Sequence, residues 1–217
     1  MFFTVVMQSN LSDFPGAATK RRDKLVRAIN SVLHQQCKCQ FELIVVADRC
    51  PDTFNIVQNE FSDYFETGKN IRLFLLPGET EIRTNRWNSS ARNVGIDKAS
   101  GEWVLYLDND DYFANDYLRL LCNAIRALQH ERHWLIVDDM TYNGKQFVKR
   151  RCNLDYGNCG TSNIVHKKTM KSRWPLVSQY ARDDWQFINN LTFESKNNQH
   201  LDIAGYCCCH IPGKTDI

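Results

Sequence analysis

Apolar runs typical of buried strands alternate with amphipathic helical patterns over the first 137 positions of the 217-residue chain. The strand-like runs cover Phe2–Met7, Phe41–Ala47, Ile71–Leu76, Trp103–Leu107 and Trp134–Val137. The helical patterns, with apolar residues three and four positions apart, begin near Arg22, Phe54, Asn88 and Tyr117. Regular alternation of this kind favours an α/β fold with a mostly parallel central sheet and helices on both faces.

The alternation is lost after residue 137, and shorter patterns follow. The segment around Asn143–Gly144 predicts a hairpin. Thr161–His166 and Leu201–Cys209 predict two further strands, and Arg182–Leu191 has helical spacing. No repeat or linker divides the chain, so a single domain over residues 1–217 is expected.

The apolar run Trp103–Leu107 ends in three carboxylates, those of Asp108, Asp110 and Asp111, with Asn109 between the first two. Acids packed at the mouth of an apolar strand repel one another unless a cation neutralises them. A short loop that offers only oxygen ligands suits Mg²⁺ or Mn²⁺ better than zinc. The loop therefore predicts a metal site; the alternative is a solvated acidic turn that caps the next helix.

Composition and charge exclude several classes of protein. The net charge of +2 creates no bulk field for binding nucleic acid or an anionic membrane. Met1–Asn10 has no basic start followed by a long apolar segment, and no run approaches the roughly 18 apolar residues that span a bilayer. The sequence predicts a cytoplasmic protein, either free or peripheral on the inner face of the membrane.

The nine cysteines are predicted to be free thiols in a reducing compartment, because their number is odd and no export signal is present. Two groups, Cys37 with Cys39 and Cys207–Cys209, are close enough in sequence to suggest zinc. Neither group has the two-residue gap of a paired-cysteine metal knuckle, so structural zinc is disfavoured.

Polar residues follow several of the predicted strands. In an open parallel sheet, ligands bind beyond the carboxyl ends of the strands, and that edge would gather Gln8–Asn10, Asp48 and Asp108–Asp111. Arg92, in the first turn of the helix that leads into the acidic strand, would add a forked cation suited to phosphate oxygens. The acids at this edge, with a bound divalent cation and Arg92 beside them, predict a binding site for a diphosphate. Taken alone, Asp48 also fits a turn acid and Arg92 a surface ion pair.

Four segments of the first half carry more specific motifs: Leu25–Gln36, Glu42–Asp52, Ala91–Ile96 and Ala99–Asp111. Together they resemble the successive signatures of glycosyltransferase family 2. The resemblance implies a type-A glycosyltransferase fold, a Rossmann-like architecture for nucleotide-diphospho-sugar transferases, in which 1–111 binds the nucleotide sugar and 112–217 lies on the acceptor side. It further implies an inverting enzyme that moves a sugar, usually from a UDP-sugar, to a hydroxyl of a glycan or lipid-linked acceptor, as in cell-surface polysaccharide synthesis.

The resemblance also implies roles for residues on the donor side. Asp48 would hydrogen-bond the base, usually uracil in this family, and Arg92 would lie near the nucleotide phosphates. Asp108 would face the ribose and base, and Asn109 would contact substrate. Asp110 matches the metal-binding acid of the family's Asp-x-Asp motif, with Mn²⁺ or Mg²⁺ as the cofactor.

On the acceptor side, the resemblance assigns catalysis to an acidic pair. Asp184 matches the acid that acts as general base, with Asp183 as the second candidate; the alternative is that both only stabilise the positive end of their helix. Trp185 would form part of the acceptor wall, or is ordinary core. His210 lies near the place where some members have a diphosphate or metal contact.

The chain departs from the family's pattern after the first strand. The places that usually hold proline, a small residue and an aromatic hold Met7, Gln8 and Ser9 here, and Ala47 replaces the first of two adjacent acids. Gln8, Ser9 and Asn10 are still expected to bind substrate, without the usual platform under the base. The departure bears on which base is bound rather than on the type of reaction.

Other functions can be built on a similar site. A non-catalytic nucleotide-sugar-binding module would keep the fold without turnover, which the altered first loop favours. A nucleotidyltransferase that forms sugar nucleotides would need a Gly-rich, basic phosphate loop, which Gly16–Arg22 supplies only in part. A zinc-based nucleic-acid binder is disfavoured by the cysteine spacing and the net charge.

Overall fold

The computed structural model describes residues 1–13, 16–66, 71–76, 89–176, 183–211 and 213–217. The helices are α1 (Arg21–Leu33), α2 (Pro51–Glu60), α3 (Ser62–Glu66), α4 (Ser89–Lys98), α5 (Tyr117–Arg126) and α6 (Asp183–Glu194). The strands are β1 (Phe2–Ser9), β2 (Gln40–Asp48), β3 (Ile71–Leu76), β4 (Trp103–Tyr106), β5 (Tyr112–Phe113), β6 (Trp134–Tyr142), β7 (Phe147–Arg150), β8 (Ile164–Lys167), β9 (Asn198–Cys208), β10 (His210–Ile211) and β11 (Thr215–Asp216). Among the described helices, none is both long and apolar enough to cross a bilayer.

Nine strands form one sheet in the order β3–β2–β1–β4–β8–β6–β9–β5, with β7 paired to β6. The first four strands pair in parallel, as the alternation of strands and helices predicts. Parallel pairing places the carboxyl ends of β1, β2 and β4 at one edge of the sheet. The loops that follow these strands therefore lie together.

The second half makes the sheet mixed, whereas the sequence predicted a mostly parallel one. β8 lies between β4 and β6 and is antiparallel to both. β5 is antiparallel to β9, and β7 is antiparallel to β6. The connections explain the difference, because parallel neighbours need a crossover helix. β6 and β7 are joined by the predicted hairpin at Asn143–Gly144, and residues 151–163 reach β8 through a loop and one 3₁₀ turn. β6 and β9 have α6 between them along the chain, and they are parallel.

Apolar side chains cover both faces of the sheet. On one face α1 and α5 contribute Leu25, Ile29 and Leu121 to a single cluster. On the other face α4 and α6 contribute Ile96 and Phe187 to a second cluster. The central strand β4 is buried along its whole length as a result. The polar residues that directly follow β4 lie at the edge of the sheet.

Several boundaries differ from the sequence-based predictions. The helical pattern from Phe54 to Phe65 is interrupted at Phe61, which separates α2 from α3. β6 continues to Tyr142, beyond the predicted run, because its outer part pairs with β7. The two-residue strands β5, β10 and β11 are too short to produce a recognisable period. Asn88 and Arg182, at the predicted starts of two helices, lie outside the described residues.

Cys37 and Cys39 are joined by a disulfide, so the prediction that every cysteine is free is wrong for this pair. The turn between α1 and β2 brings their Cα atoms to 5.4 Å, within the range that a disulfide spans. The cysteine count and the compartment carry no information about this local turn. The remaining cysteines are free, and most are buried.

Gly101 lies where the turn before β4 touches β1, and we expect alanine there to destabilise the fold. A Cβ atom at this position would lie 2.7 Å from the backbone of Phe3 and Thr4. Because overpacking of this kind costs roughly 1–3 kcal/mol, Gly101→Ala should lower the urea midpoint of unfolding. The exposed neighbour offers a control, since Glu102→Ala should change stability by less than about 0.5 kcal/mol. Equal midpoints for the two variants would contradict the close approach of the two backbones.

Candidate active site

A cavity of about 330 Å³ lies at the sheet edge beyond β1 and β4. It gathers residues from both halves of the chain. Ten of the residues predicted from the sequence line it: Gln8, Asn10, Arg92, Asp108, Asn109, Asp110, Asp111, Asp183, Asp184 and His210. The sheet topology therefore brings the acidic loop after β4 and the acidic start of α6 to one cavity.

The acidic loop is anchored by its last member, Asp111. Its carboxylate accepts the backbone N–H of Cys209 at 2.6 Å and the hydroxyl of Tyr206 at 2.7 Å. The same hydroxyl accepts the backbone N–H of Asp108 at 3.1 Å. The next helix, α5, begins only at Tyr117, so the alternative that these acids cap it is wrong. Asp111 ties the loop to β9, and the carboxylates of Asp108 and Asp110 remain on the cavity side.

Arg92 is held between a carboxylate and an aromatic ring. Its Nη2 donates to Asp108 Oδ1 at 3.0 Å, and its guanidinium carbon lies 4.6 Å from the centre of the Trp174 ring. Burial lowers the pKa of Arg92, but the charges of Asp108 and then Asp184 outweigh it, and the pKa is raised. Arg92 is only 5% exposed, which excludes a surface ion pair. A buried, permanently charged fork in an acidic cavity is suited to phosphate oxygens.

Asp108 and Asp110 bring two carboxylates to the cavity lining. Burial, followed by the charge of Asp108, raises the pKa of Asp110 to about 6. A carboxylate whose charge is disfavoured in this way gains from a neighbouring cation. In the described part of the chain, no cluster of three or more His, Cys, Asp or Glu side chains could hold a metal. Because Mg²⁺ commonly uses one or two carboxylates and completes its shell with substrate phosphates and water, this pair fits a cation bound together with a diphosphate.

The acidic pair at the start of α6 faces the same cavity. Asp184 Oδ1 accepts the hydroxyl of Thr161 at 2.9 Å, and a Cβ atom on Gly160 would lie 3.2 Å from Asp184 Oδ2. Burial raises the pKa of Asp184, the charge of Arg92 opposes this, and Asp108 reinforces it. Asp183 Oδ2 accepts the hydroxyl of Ser89 at 3.0 Å, while its buried Oδ1 has no hydrogen-bond partner among the residues that the structure describes. Asp184 is thus a half-buried carboxylate with a raised pKa, a combination that suits proton transfer near neutral pH.

Two predicted residues lie behind the cavity lining and support it. Ser9 Oγ accepts the side-chain N–H of Asn109 at 2.8 Å. The backbone carbonyl of Asp48 accepts the side-chain N–H of Asn10 at 2.8 Å. Asp48 itself is 2% exposed at the end of β2, and the following Arg49 has a φ of 50°, a backbone conformation typical of functional turns. Asp48 is therefore a buried strand-end acid rather than a solvated turn residue.

His210 and Trp185 occupy less direct positions. His210 lines the cavity, but its Nε2 lies 3.0 Å from the carbonyl oxygen of Gly16 and its Nδ1 lies 3.2 Å from Asp216 Oδ1. Both ring nitrogens are thus engaged with the loop before α1 and the C-terminal hairpin. Trp185 is half-buried next to Asp184 and lies outside the cavity lining. The metal role of His210 and the acceptor role of Trp185 remain predictions.

Sequence reasoning missed several residues of this site. Tyr206 holds the acidic loop, Thr161 holds Asp184, and Trp174 packs on Arg92. Each acts through a contact between distant parts of the chain, and none lies in a motif. Arg21 also lines the cavity and donates to the carbonyl of Leu11. The only signal for Arg21 in the sequence is the basic character of Gly16–Arg22, a pattern that also fits in part the phosphate loop of a nucleotidyltransferase.

A model of glycosyl transferase family 2 matches residues 17–198, which is most of the chain. The chain belongs to glycosyltransferase family 2. The match includes both the acidic loop after β4 and the acidic pair of α6, so the family assignment made from the first half extends to the second half.

Individual family members and solved structures are similar over different extents. Amylovoran biosynthesis glycosyltransferase AmsB of Erwinia amylovora is 32% identical over 106 residues, which cover 48% of this chain and 33% of that protein. The crystal structure of S. aureus TarS 1-349 in complex with UDP-GlcNAc has a TM-score of 0.70 at 18% identity and covers 99% of this chain and 60% of that chain. Mannosyltransferase PcManGT from Pyrobaculum calidifontis in complex with GDP-Man and Mn²⁺ has a TM-score of 0.65 at 15% identity. The match covers 98% of this chain and 57% of that chain.

These comparisons confirm the type-A glycosyltransferase fold. The chain spans about a third of the length of AmsB and about three-fifths of the TarS chain.

Proposed function

We propose that this chain is an inverting, metal-dependent glycosyltransferase that moves a sugar from a nucleotide-diphosphate donor, a UDP-sugar, to a hydroxyl of a glycan or lipid-linked acceptor in polysaccharide biosynthesis. One observation carries the proposal: the Asp108–Arg92 ion pair and the Asp184 carboxylate line one cavity. In this assignment residues 1–111 bind the nucleotide sugar and residues 112–217 form the acceptor side.

The donor side would be recognised by charge and hydrogen bonding. The Arg92 fork would bind the diphosphate, and Asp108 would face the ribose. Asp48 would pair with the base, in keeping with its buried position at the end of β2. Support for a nucleotide-sugar donor comes from the similar structures, since TarS is in complex with UDP or UDP-GlcNAc and the mannosyltransferase with GDP-Man and Mn²⁺.

Asp110, together with Asp108, would hold Mn²⁺ or Mg²⁺. Negative charge that develops on the leaving diphosphate would be neutralised there. Arg92 contributes charge to the same place without any cofactor. His210 could join the ligands only by giving up its contacts with Gly16 and Asp216.

The transfer itself needs one base. The bond between the anomeric carbon of the sugar and the diphosphate oxygen breaks, and its electron pair stays on that oxygen. The acceptor hydroxyl oxygen forms the new bond to the anomeric carbon, and its proton goes to the Asp184 carboxylate. Direct displacement of this kind inverts the anomeric centre, and the products are a glycoside and a nucleoside diphosphate. Asp183 is the second candidate for the base.

A thermal-shift experiment tests the donor assignment. UDP with Mn²⁺ should raise the melting temperature more than UDP or Mn²⁺ alone, and GDP serves as the comparison base. A ligand present at 100 times its dissociation constant adds about 2.7 kcal/mol, which corresponds to roughly 5–10 °C for a domain of this size. Absence of a shift with any nucleoside diphosphate would overturn the proposal.

A second measurement distinguishes an enzyme from a binding module. The release of UDP from a panel of UDP-sugars should be detectable with Mn²⁺, either through transfer or through slow hydrolysis. Binding with no turnover of any donor would instead favour the non-catalytic module that the altered segment Met7–Ser9 suggested.

A further inference from the structure

A single 3₁₀ turn, Thr161–Asn163, holds the candidate base. Asp184 Oδ1 accepts the Thr161 hydroxyl at 2.9 Å. Gly160, which precedes the turn, lies so close that a Cβ atom on it would be 3.2 Å from Asp184 Oδ2. Because a turn of this length has few hydrogen bonds of its own, the position of the Asp184 carboxylate depends on what fixes the turn.

Asn163, the last residue of the turn, fixes it to strand β6. Its side chain is fully buried. Its Oδ1 accepts the backbone N–H of Gly160 at 2.9 Å, and its Nδ2 donates to the carbonyl of Val137 at 3.0 Å and to Asp139 Oδ2 at 3.1 Å. One amide therefore joins the start of the turn to two residues of β6.

The carboxylate of Asp139 is the centre of this network and is 1% exposed. Arg150, its half-buried neighbour on β7, donates to it through both Nε, at 2.9 Å, and Nη2. The hydroxyl of Ser162, also in the turn, donates to Asp139 Oδ2 at 3.2 Å. Asp139 is thus tied to β7 by a two-pronged ion pair and to the turn by hydrogen bonds from Ser162 and Asn163.

The ion pair gives direction rather than stability. Removing two charges from water costs about as much as their attraction returns, so such a pair contributes little net stability. A guanidinium fork does, however, fix the plane of the carboxylate that it binds. The remaining lone pairs of Asp139 then meet the donors of Ser162 and Asn163 at fixed angles. The Asp139–Arg150 pair therefore determines where the turn lies and, through Thr161, where the Asp184 carboxylate points.

We propose that Asp139 is a positioning residue for Asp184: together with Arg150 it fixes the turn Thr161–Asn163 and so orients the carboxylate that takes the acceptor proton. The inference rests on the proposed function and deepens it. Asp139 lies outside the cavity lining, so it acts on the reaction only through the turn. A catalytic group that is misplaced by about 1 Å can cost about 100-fold in rate. A change at Asp139 should therefore reach catalysis without altering the binding of the donor.

The test measures the release of UDP, with Mn²⁺ present, from the UDP-sugar that the native protein turns over. Asp139→Asn keeps the shape of the side chain but offers one acceptor oxygen where the carboxylate offers two. We expect kcat to fall about 10- to 100-fold, with the donor KM and the UDP-dependent thermal shift unchanged. A residue that only supports the fold would lower the thermal stability without this selective effect on kcat.

Asp138→Asn is the matched control. Asp138 is the neighbouring acid on β6 and is also fully buried. Its Oδ1 accepts the backbone N–H of Cys152 at 3.0 Å and lies 2.7 Å from His200 Nε2, so its partners belong to other segments than the turn. This variant should lose stability and keep the native kcat.

A double-mutant cycle with Thr161→Val, which removes the hydroxyl that contacts Asp184, shows whether the effect passes through the turn. The double variant should be about as active as the slower single variant, because both changes release the same carboxylate. Thr161→Ser, which restores the hydroxyl, should recover the rate lost in Thr161→Val. If Asp139→Asn does not fold, Arg150→Lys takes its place in the cycle, since it keeps the charge but loses the fork.

The outcomes separate this inference from the proposed function. A native kcat in the folded Asp139 or Arg150 variant would overturn the positioning role, and so would effects that multiply in the double variant. Both results leave the native turnover of the UDP-sugar intact, and the proposed function with it. Absence of turnover of every donor by the native protein would instead overturn the proposed function and this inference together.

Discussion

Asp184→Asn is expected to lower sugar transfer by roughly 10²- to 10⁴-fold, the usual contribution of general-base catalysis. The amide keeps the shape of the carboxylate and can still accept the Thr161 hydroxyl, which lies 2.9 Å from Asp184 Oδ1. It cannot take the proton from the acceptor. The measurement is the initial rate at saturating donor, compared with Asp202→Asn, whose side chain lies at the surface. Equal rates for the two variants would exclude Asp184 as the base.

The same substitution should raise the melting temperature at neutral pH. Burial raises the pKa of Asp184, although the charge of Arg92 opposes the shift. A carboxyl whose pKa is higher in the folded state stabilises the fold below its unfolded pKa and loses that contribution as pH rises through the folded pKa. Asparagine avoids this loss, so the gain in melting temperature should be largest near neutral pH and disappear in acid. Lower activity with higher stability would exclude misfolding as the cause.

The first half of the fold and most of the candidate site follow from local sequence patterns. Buried strands such as Trp103–Leu107 can be recognised as apolar runs. Because the carboxyl ends of parallel strands lie at one edge of the sheet, the residues that end these strands, Asp108, Asp110 and Asp48, can be assigned to that edge from the sequence. Arg92 was placed correctly for a similar reason, because a helix that leads into the acidic strand starts at the same edge. In this half of the chain, parallel pairing means that residues that follow different strands in the sequence lie at the same edge of the sheet.

The second half could not be predicted in the same detail because its structure depends on contacts between distant segments. Nothing near Tyr206 in the sequence indicates that its hydroxyl will join Asp108 to Asp111. The position of β8 between β4 and β6 depends on a loop without a helical pattern. His210 could be placed near the site, but its contact with Asp216 arises from the short hairpin β10–β11, which is too brief to be seen as a pattern.

Asp110→Asn is expected to remove the response to Mn²⁺ while leaving the fold intact. Arg27 fixes this position through the backbone carbonyl of Asp110, at 2.9 Å, and the carboxylate lines the cavity. In native protein Mn²⁺ should enlarge the UDP-dependent rise in melting temperature, and in this variant the enlargement should be absent. The lost charge stabilisation, several kcal/mol, corresponds to a fall of about 10³-fold in the rate of transfer.

Asp111→Asn provides the contrast within the same loop. Asp111 accepts the N–H of Cys209 and the hydroxyl of Tyr206, so an amide would turn its NH₂ group toward one of these donors. This variant should lose about 1–3 kcal/mol of stability but keep the Mn²⁺ response whenever it is folded. The two neighbouring acids thus separate metal binding from loop anchoring. If Asp110→Asn kept the Mn²⁺ response, the assignment of Asp110 as a ligand of the cation would be wrong.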